Sequence, residues 1–294
     1  MKMKTMRIVA AVGLAAGLLS GCAKKEFDPQ SEIGLVSRED GSGTRSAFTE
    51  LAGIQRKDAA GKKIDHTSVE TMIASSTSVA LTTVAGDLSA LGYVSLGSIN
   101  GSVKTLLVDG VAPTSEEIAL GKYKLVHPFN VVTRGGLDQL SPVARDFVAF
   151  VLSAEGQRVV EKTGYLRVDA AAKAYSGDPA IKGKVLCSGS SSVAPCMEKL
   201  KEAYLATHPG VSVEVQQSDS STGVKDAKDA ICDLGMASRE LKDSEKSAGL
   251  AATAIALDGL AVIVNSANPV VSLSCEQIRK AFEGEVRTWA ELSK

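Results

Sequence analysis

Three short segments of this 294-residue chain place serine, glycine and threonine directly before an apparent helix: Arg38-Glu-Asp-Gly-Ser-Gly-Thr-Arg45, Ser188-Gly-Ser-Ser-Ser-Val-Ala-Pro195 and Ser218-Asp-Ser-Ser-Thr-Gly-Val-Lys225. A helix start leaves backbone N–H groups unpaired and carries a partial positive charge, so hydroxyls and glycine amides there form a socket for a small oxyanion. Each segment alone is equally an ordinary N-cap. Together, with Arg38 and Arg45 flanking the first, they point to one anion held from several sides. A guanidinium adds a planar, permanently charged fork that suits phosphate or sulfate.

Those loops need strands and helices to aim them. Apolar runs at residues 33–36, 91–96, 123–133, 184–187, 212–216, 233–237 and 257–265 read as strands. Residues 46–52, 67–75, 142–162, 194–207, 224–231 and 274–282 read as helices. The alternation implies an α/β fold, in which ligands bind beyond the carboxyl ends of strands.

Hydrophobic residues make up 44% of the chain and aromatic ones only 4%, so the core is aliphatic and rich in alanine. A net charge of -1, with no long basic run and no aromatic ladder, argues against nucleic acid. Cys187, Cys196, Cys232 and Cys275 lack the paired spacing of a zinc site. A Cys187–Cys232 bridge between adjacent strands and buried free thiols are both open readings. An enzyme would need a positioned base, yet His66 lies in a polar loop, His127 precedes a proline and His208 sits in a turn. The sequence contains no G-x-S-x-G, Walker loop or H-E-x-x-H, so catalysis, metal and cofactor are not expected.

The chain opens with basic residues through Arg7, an apolar run from Ile8 to Leu19, and Leu19-Ser-Gly-Cys22. This looks like a bacterial lipoprotein signal, with residues 1–21 removed, Cys22 lipidated and residues 22–32 forming a tether; a plain secretory signal or an uncleaved anchor is the alternative. About 270 residues then remain, enough for two lobes.

Five phrases carry a family resemblance: Gly189-Ser-Ser-Ser-Val-Ala-Pro195, Asp233-Leu-Gly-Met-Ala-Ser-Arg-Glu-Leu-Lys242, Asp258-Gly-Leu-Ala-Val-Ile-Val-Asn265, Glu276-Gln-Ile-Arg-Lys-Ala-Phe-Glu-Gly284 and Arg38-Glu-Asp-Gly-Ser-Gly-Thr44. Together they resemble the phosphate-binding lipoprotein of the bacterial high-affinity phosphate ABC transporter, a periplasmic binding protein. The resemblance implies a two-lobed type II clamshell with two crossover strands. In that family the Gly-Ser-Ser-Ser segment comes first and the Arg-Glu-Asp-Gly-Ser-Gly-Thr segment follows; here the order is reversed. The chain therefore looks circularly permuted, with residues 169–183 as the joint between old end and old beginning. Lobe two would comprise residues 33–127 and 258–294, and lobe one residues 128–257, with crossings near His127-Pro128 and Asp258-Gly259.

Carried over by that resemblance, lobe one offers Ser190, Ser191, Ser192 and Ser220, and lobe two offers Arg38, Ser42, Gly43 and Thr44. Asp40 would orient Arg38 or accept a proton-bearing ligand oxygen. Where many members of the family have Ala-Ser-Asp, this chain has Ala237-Ser238-Arg239, so Ser238 stands beside the place of an acceptor carboxylate. Arg239 is left to point into the cleft or to pair with Glu240 or Asp243. The implied protein is a monomeric, extracytoplasmic, lipid-anchored receptor that takes inorganic phosphate to an ABC permease. The same clamshell would also serve another tetrahedral oxyanion, an anion sensor or an adhesin.

Overall fold

The computed structural model describes residues 26–293. The signal segment, Cys22 and Lys294 lie outside the described residues. One mixed sheet organises the chain, running in the order Val211–Ser218, Gly183–Ser190, Leu234–Ala237, Val126–Arg134, Leu250–Asn265, Ala90–Ser95, Gly34–Arg38 and Met72–Ala74. The strands at either end of this order run parallel, which requires helical crossovers between them. The two central strands are antiparallel to each other, and their register sets His127 opposite Asp258 and Pro128 opposite Leu257.

Buried apolar side chains form separate clusters on the two sides of that central pair. One is built from residues between Phe129 and Ala256, around Phe147, Tyr204 and Met236. Another combines residues from Ile33 to Leu125 with residues from Leu260 to Leu292, around Phe48, Tyr93 and Trp289. Each half thus buries its own core, and the two central strands run continuously from one half into the other. The start of the described chain packs on its end: the Ile33 amide donates to the Arg287 carbonyl at 2.8 Å, and Phe27 meets Trp289 edge-on.

Local sequence explains where elements differ from expectation. Residues 67–75 are not a helix: Met72–Ala74 is an edge strand parallel to Gly34–Arg38, and the helix follows at Thr77–Gly86. Val69 is fully exposed and Met72 and Ile73 are more than half exposed, so the apolar spacing there marks no buried helical face. Ser76 accepts the Val79 amide hydrogen and caps the true helix start. The expected helix 142–162 is two helices, Pro142–Leu152 and Ala154–Lys162, divided at Ser153. Ser153 accepts from the Gly156 amide, and a Cβ on Gly156 would lie 2.2 Å from the Phe150 carbonyl oxygen, so the sharp turn between the helices requires glycine there. Other helices begin earlier than expected, at Gly43 and Ser220. The four cysteines among the described residues are free, and Cys187, Cys196 and Cys232 are buried.

Residues 169–183 run mostly exposed along the first half, fastened at Tyr175. The Tyr175 amide donates to Glu155, its hydroxyl donates to Asp146 Oδ2 at 2.5 Å, and Tyr204 donates to the same oxygen at 2.6 Å. His208 is buried in its turn, stacked on Tyr204 and 3.0 Å from the Tyr175 hydroxyl. Tyr175→Phe is expected to lower stability by about 1–2 kcal/mol in urea unfolding and to speed protease cleavage within residues 169–182. Unchanged cleavage would show that the hydroxyl does not fasten this segment.

Candidate functional site

Strand Gly34–Arg38 ends by delivering Arg38 into the space between the halves. The strand end is braced from below: Phe48 stacks on Tyr93 at 3.7 Å, the Tyr93 hydroxyl pairs with Ser37 Oγ at 2.7 Å, and the Arg38 amide donates to it at 3.3 Å. Arg38 is 1% exposed. A buried guanidinium needs a counter-charge and full hydrogen bonding. Glu39 supplies the first, receiving Nε at 2.9 Å and Nη2 at 2.7 Å. The remaining hydrogens turn inward, Nη1 donating to Thr77 Oγ1 at 3.0 Å and Nη2 to Ser191 Oγ at 2.8 Å.

Around this fork the structure gathers hydroxyls from both halves. Thr44 Oγ1 lies 2.7 Å from Ser192 Oγ, across the boundary between the halves. Ser238 Oγ is the hub, 3.3 Å from Thr44, 3.0 Å from Ser190 and 3.2 Å from Ser220. Thr77 Oγ1 lies 3.1 Å from Ser192 and 3.3 Å from Ser191. Arg38, Ser42, Thr44, Ser190, Ser191, Ser192, Ser220 and Ser238 are all buried. Ser42 is the N-cap of helix Gly43–Leu51, accepting from the Arg45 amide, while Gly43 forms the point of closest approach. A Cβ on Gly43 would lie 2.4 Å from Ser220 Oγ and 2.9 Å from the Ser238 carbonyl carbon. Only a residue without a side chain lets the loops meet.

Thr77 was not among the expected site residues. Its signal is the run Ser75-Ser76-Thr77-Ser78, the same Ser/Thr-to-helix pattern as the other loops, masked by placing a helix ten residues too early. The site is therefore served by four helix starts, at Gly43, Thr77, Ala194 and Ser220.

Two side chains stand elsewhere than expected. Asp40 does not orient Arg38: its side chain is 97% exposed and pairs with Arg45 at 2.7 Å, because the adjacent Glu39 occupies the guanidinium. Arg239 pairs with neither Glu240 nor Asp243 through its fork; both Nη atoms reach Glu245 at 2.8 Å, and Nη1 also donates to the Glu240 carbonyl. Burial acts to raise the Glu245 carboxyl, but hydrogen bonds from Arg239 and the Lys242 amide outweigh it and leave the group below its ordinary value. Asp40, Arg45 and Arg239 line a solvent-open groove of about 690 Å³ beside His127-Pro128. Among the described residues, the hydroxyl cluster is thus lined by donors and dual-role hydroxyls, with Glu39 reaching it only through Arg38.

Such a constellation can enclose a small tetrahedral anion. Each hydroxyl can turn its hydrogen inward, helix-start amides add donors, and Arg38 supplies the charge-assisted bonds. Gly43→Ala is expected to hold the halves apart and enlarge the radius of gyration in small-angle scattering under all ligand conditions. A radius equal to that of the parent with saturating anion would contradict the close approach.

A family model described as a PBP superfamily domain matches residues 18–155 and 174–294. The phosphate-binding protein PstS 2 of Streptococcus agalactiae is 49% identical over 295 residues, spanning 100% of this chain and 99% of that protein. The crystal structure of a phosphate-binding protein of a phosphate ABC transporter from Streptococcus pneumoniae TIGR4 is similar with a TM-score of 0.70 and 40% identity, covering 89% of this chain and 100% of that one. The phosphate-binding protein PstS of Staphylococcus haemolyticus aligns at 35% identity over only 38% of each chain. The chain belongs to the PBP superfamily and, within it, to the family of bacterial phosphate-binding proteins.

Proposed function

We propose that this protein is an extracytoplasmic solute-binding receptor that captures inorganic phosphate between two α/β lobes and delivers it to an ABC permease. The observation that carries this reading is the convergence of Arg38, Thr44 and Thr77 from one half with Ser191, Ser192, Ser220 and Ser238 from the other on one buried point. A micromolar dissociation constant corresponds to about 8 kcal/mol. Hydrogen bonds to a charged group contribute about 1.5–3 kcal/mol each, so several donors reach that affinity after the cost of closing the lobes. Nothing in this chemistry requires turnover, a metal or an organic cofactor. The names of the relatives support phosphate as the anion.

The lobes we assign are residues 128–257 and residues 33–127 with 258–294. The partition of buried side chains supports them. Two crossing strands between lobes suit a hinge that closes on ligand. We further propose that the protein works as a monomer tethered through lipid at Cys22, and that its order of segments is permuted relative to part of its family. Support for the permutation comes from end-to-end alignment with the S. agalactiae relative but partial alignment with the staphylococcal one, and from the packing of Ile33 and Phe27 against the chain's last described turn.

Calorimetric titration of the purified protein with phosphate tests the function. Saturable binding is expected, and Arg38→Ala should weaken it at least tenfold while moving the thermal transition by no more than a few degrees. Unchanged affinity would remove Arg38 from the site. Sulfate that binds as tightly as phosphate would overturn phosphate as the cargo.

A further inference from the structure

We propose that His127 is a positioning residue for anion capture, holding the Ser238 loop at the site through the Ser238 carbonyl. The role rests on the function proposed above. His127 is a buried side chain on a crossing strand, and its two ring nitrogens face different structural units. Nδ1 lies 2.6 Å from the Ser238 carbonyl oxygen, and Nε2 lies 3.0 Å from Asp258 Oδ2 on the other crossing strand. A carbonyl can only accept, so Nδ1 carries a hydrogen and donates it. One further proton then lies between Nε2 and the Asp258 carboxyl, whichever of the two holds it. Asp258 is fully buried, and that burial pushes its carboxyl up.

This bond matters because of what Ser238 does. Its hydroxyl is within 3.3 Å of hydroxyls from three other loops, and its amide donates to Ser220 Oγ at 3.0 Å. Strand Leu234–Ala237 has ended by this point, so ladder hydrogen bonds no longer fix the peptide. The crossing strand takes over with side chains: His127 grips the Ser238 carbonyl, and Asn130 Nδ2 donates to the next carbonyl, that of Arg239, at 2.9 Å. The Arg239–Glu245 pair ties the same turn to helix Asp243–Ser247. His127 is thus the link through which the paired crossing strands set the height of the hub hydroxyl.

The test compares phosphate affinity of the parent, His127→Asn and His127→Ala by calorimetry. Asparagine places an amide donor where Nδ1–H stands; alanine does not. Both leave Asp258 without its ring partner, so the difference between them reads the carbonyl bond alone. The expected result is His127→Asn within threefold of the parent and His127→Ala at least tenfold weaker. Alanine equal to the parent, or asparagine as weak as alanine, would overturn the role while leaving the proposed function intact; a parent that binds no phosphate would overturn both. Should the alanine variant fail to fold, nitrogen-15 spectra of the histidine-labelled parent decide. A protonated Nδ1 of His127 whose signal shifts on adding phosphate supports the role, and an unprotonated or phosphate-insensitive Nδ1 overturns it.

Discussion

A guanidinium buried to 1% exposure, held by one carboxylate and aimed at hydroxyls of the opposite half, is the interaction around which the rest is arranged. Removing an arginine from water costs several kcal/mol unless its charge is matched and its hydrogens are placed. Glu39 matches the charge from the solvent side with two hydrogen bonds, which leaves the inner edge of the fork free to face Thr77 and Ser191. The pair is neutral, so an incoming anion meets oriented donors rather than a bare positive field. That arrangement favours a ligand able to use many directed bonds over one attracted by charge alone.

Such a fork requires the two halves to meet at close range, and the sheet makes that possible. Both halves aim their loops from the carboxyl ends of parallel strands, and the antiparallel pair Val126–Arg134 and Leu250–Asn265 joins them in fixed register. Gly43 removes the last steric obstacle between the loops. Thr44–Ser192 and Arg38–Ser191 then bridge the halves directly. Separate cores suit the hinge proposed at the two crossing strands.

Much of this was legible in the sequence because Ser, Gly and Thr before a helix carry a local physical meaning. The loops at Arg38, Ser188 and Ser218 were identified that way. Thr77 was lost through one misplaced helix, since the apolar residues of 69–73 mimic helical spacing while facing solvent beside an edge strand. Choosing between Glu39 and Asp40 as partner of Arg38 was beyond a one-dimensional reading, because the turn after the strand decides which of two neighbouring carboxylates reaches back. Glu245 was missed as the partner of Arg239 because it lies two residues beyond the acids considered, in the first turn of helix Asp243–Ser247, and only the fold of that turn brings it back to the guanidinium. The bonds of His127 depend on the fold of Ser238, more than a hundred residues away, and no local pattern announces them.

The central claim is that donors from both halves surround a single oxyanion. A crystal structure with arsenate, located by its anomalous scattering, tests it most directly. The account predicts one dominant peak within hydrogen-bonding reach of Arg38, Thr44 and Thr77 on one side and of Ser191, Ser192 and Ser220 on the other. A peak contacted by one half only, or lying away from Arg38, would contradict it.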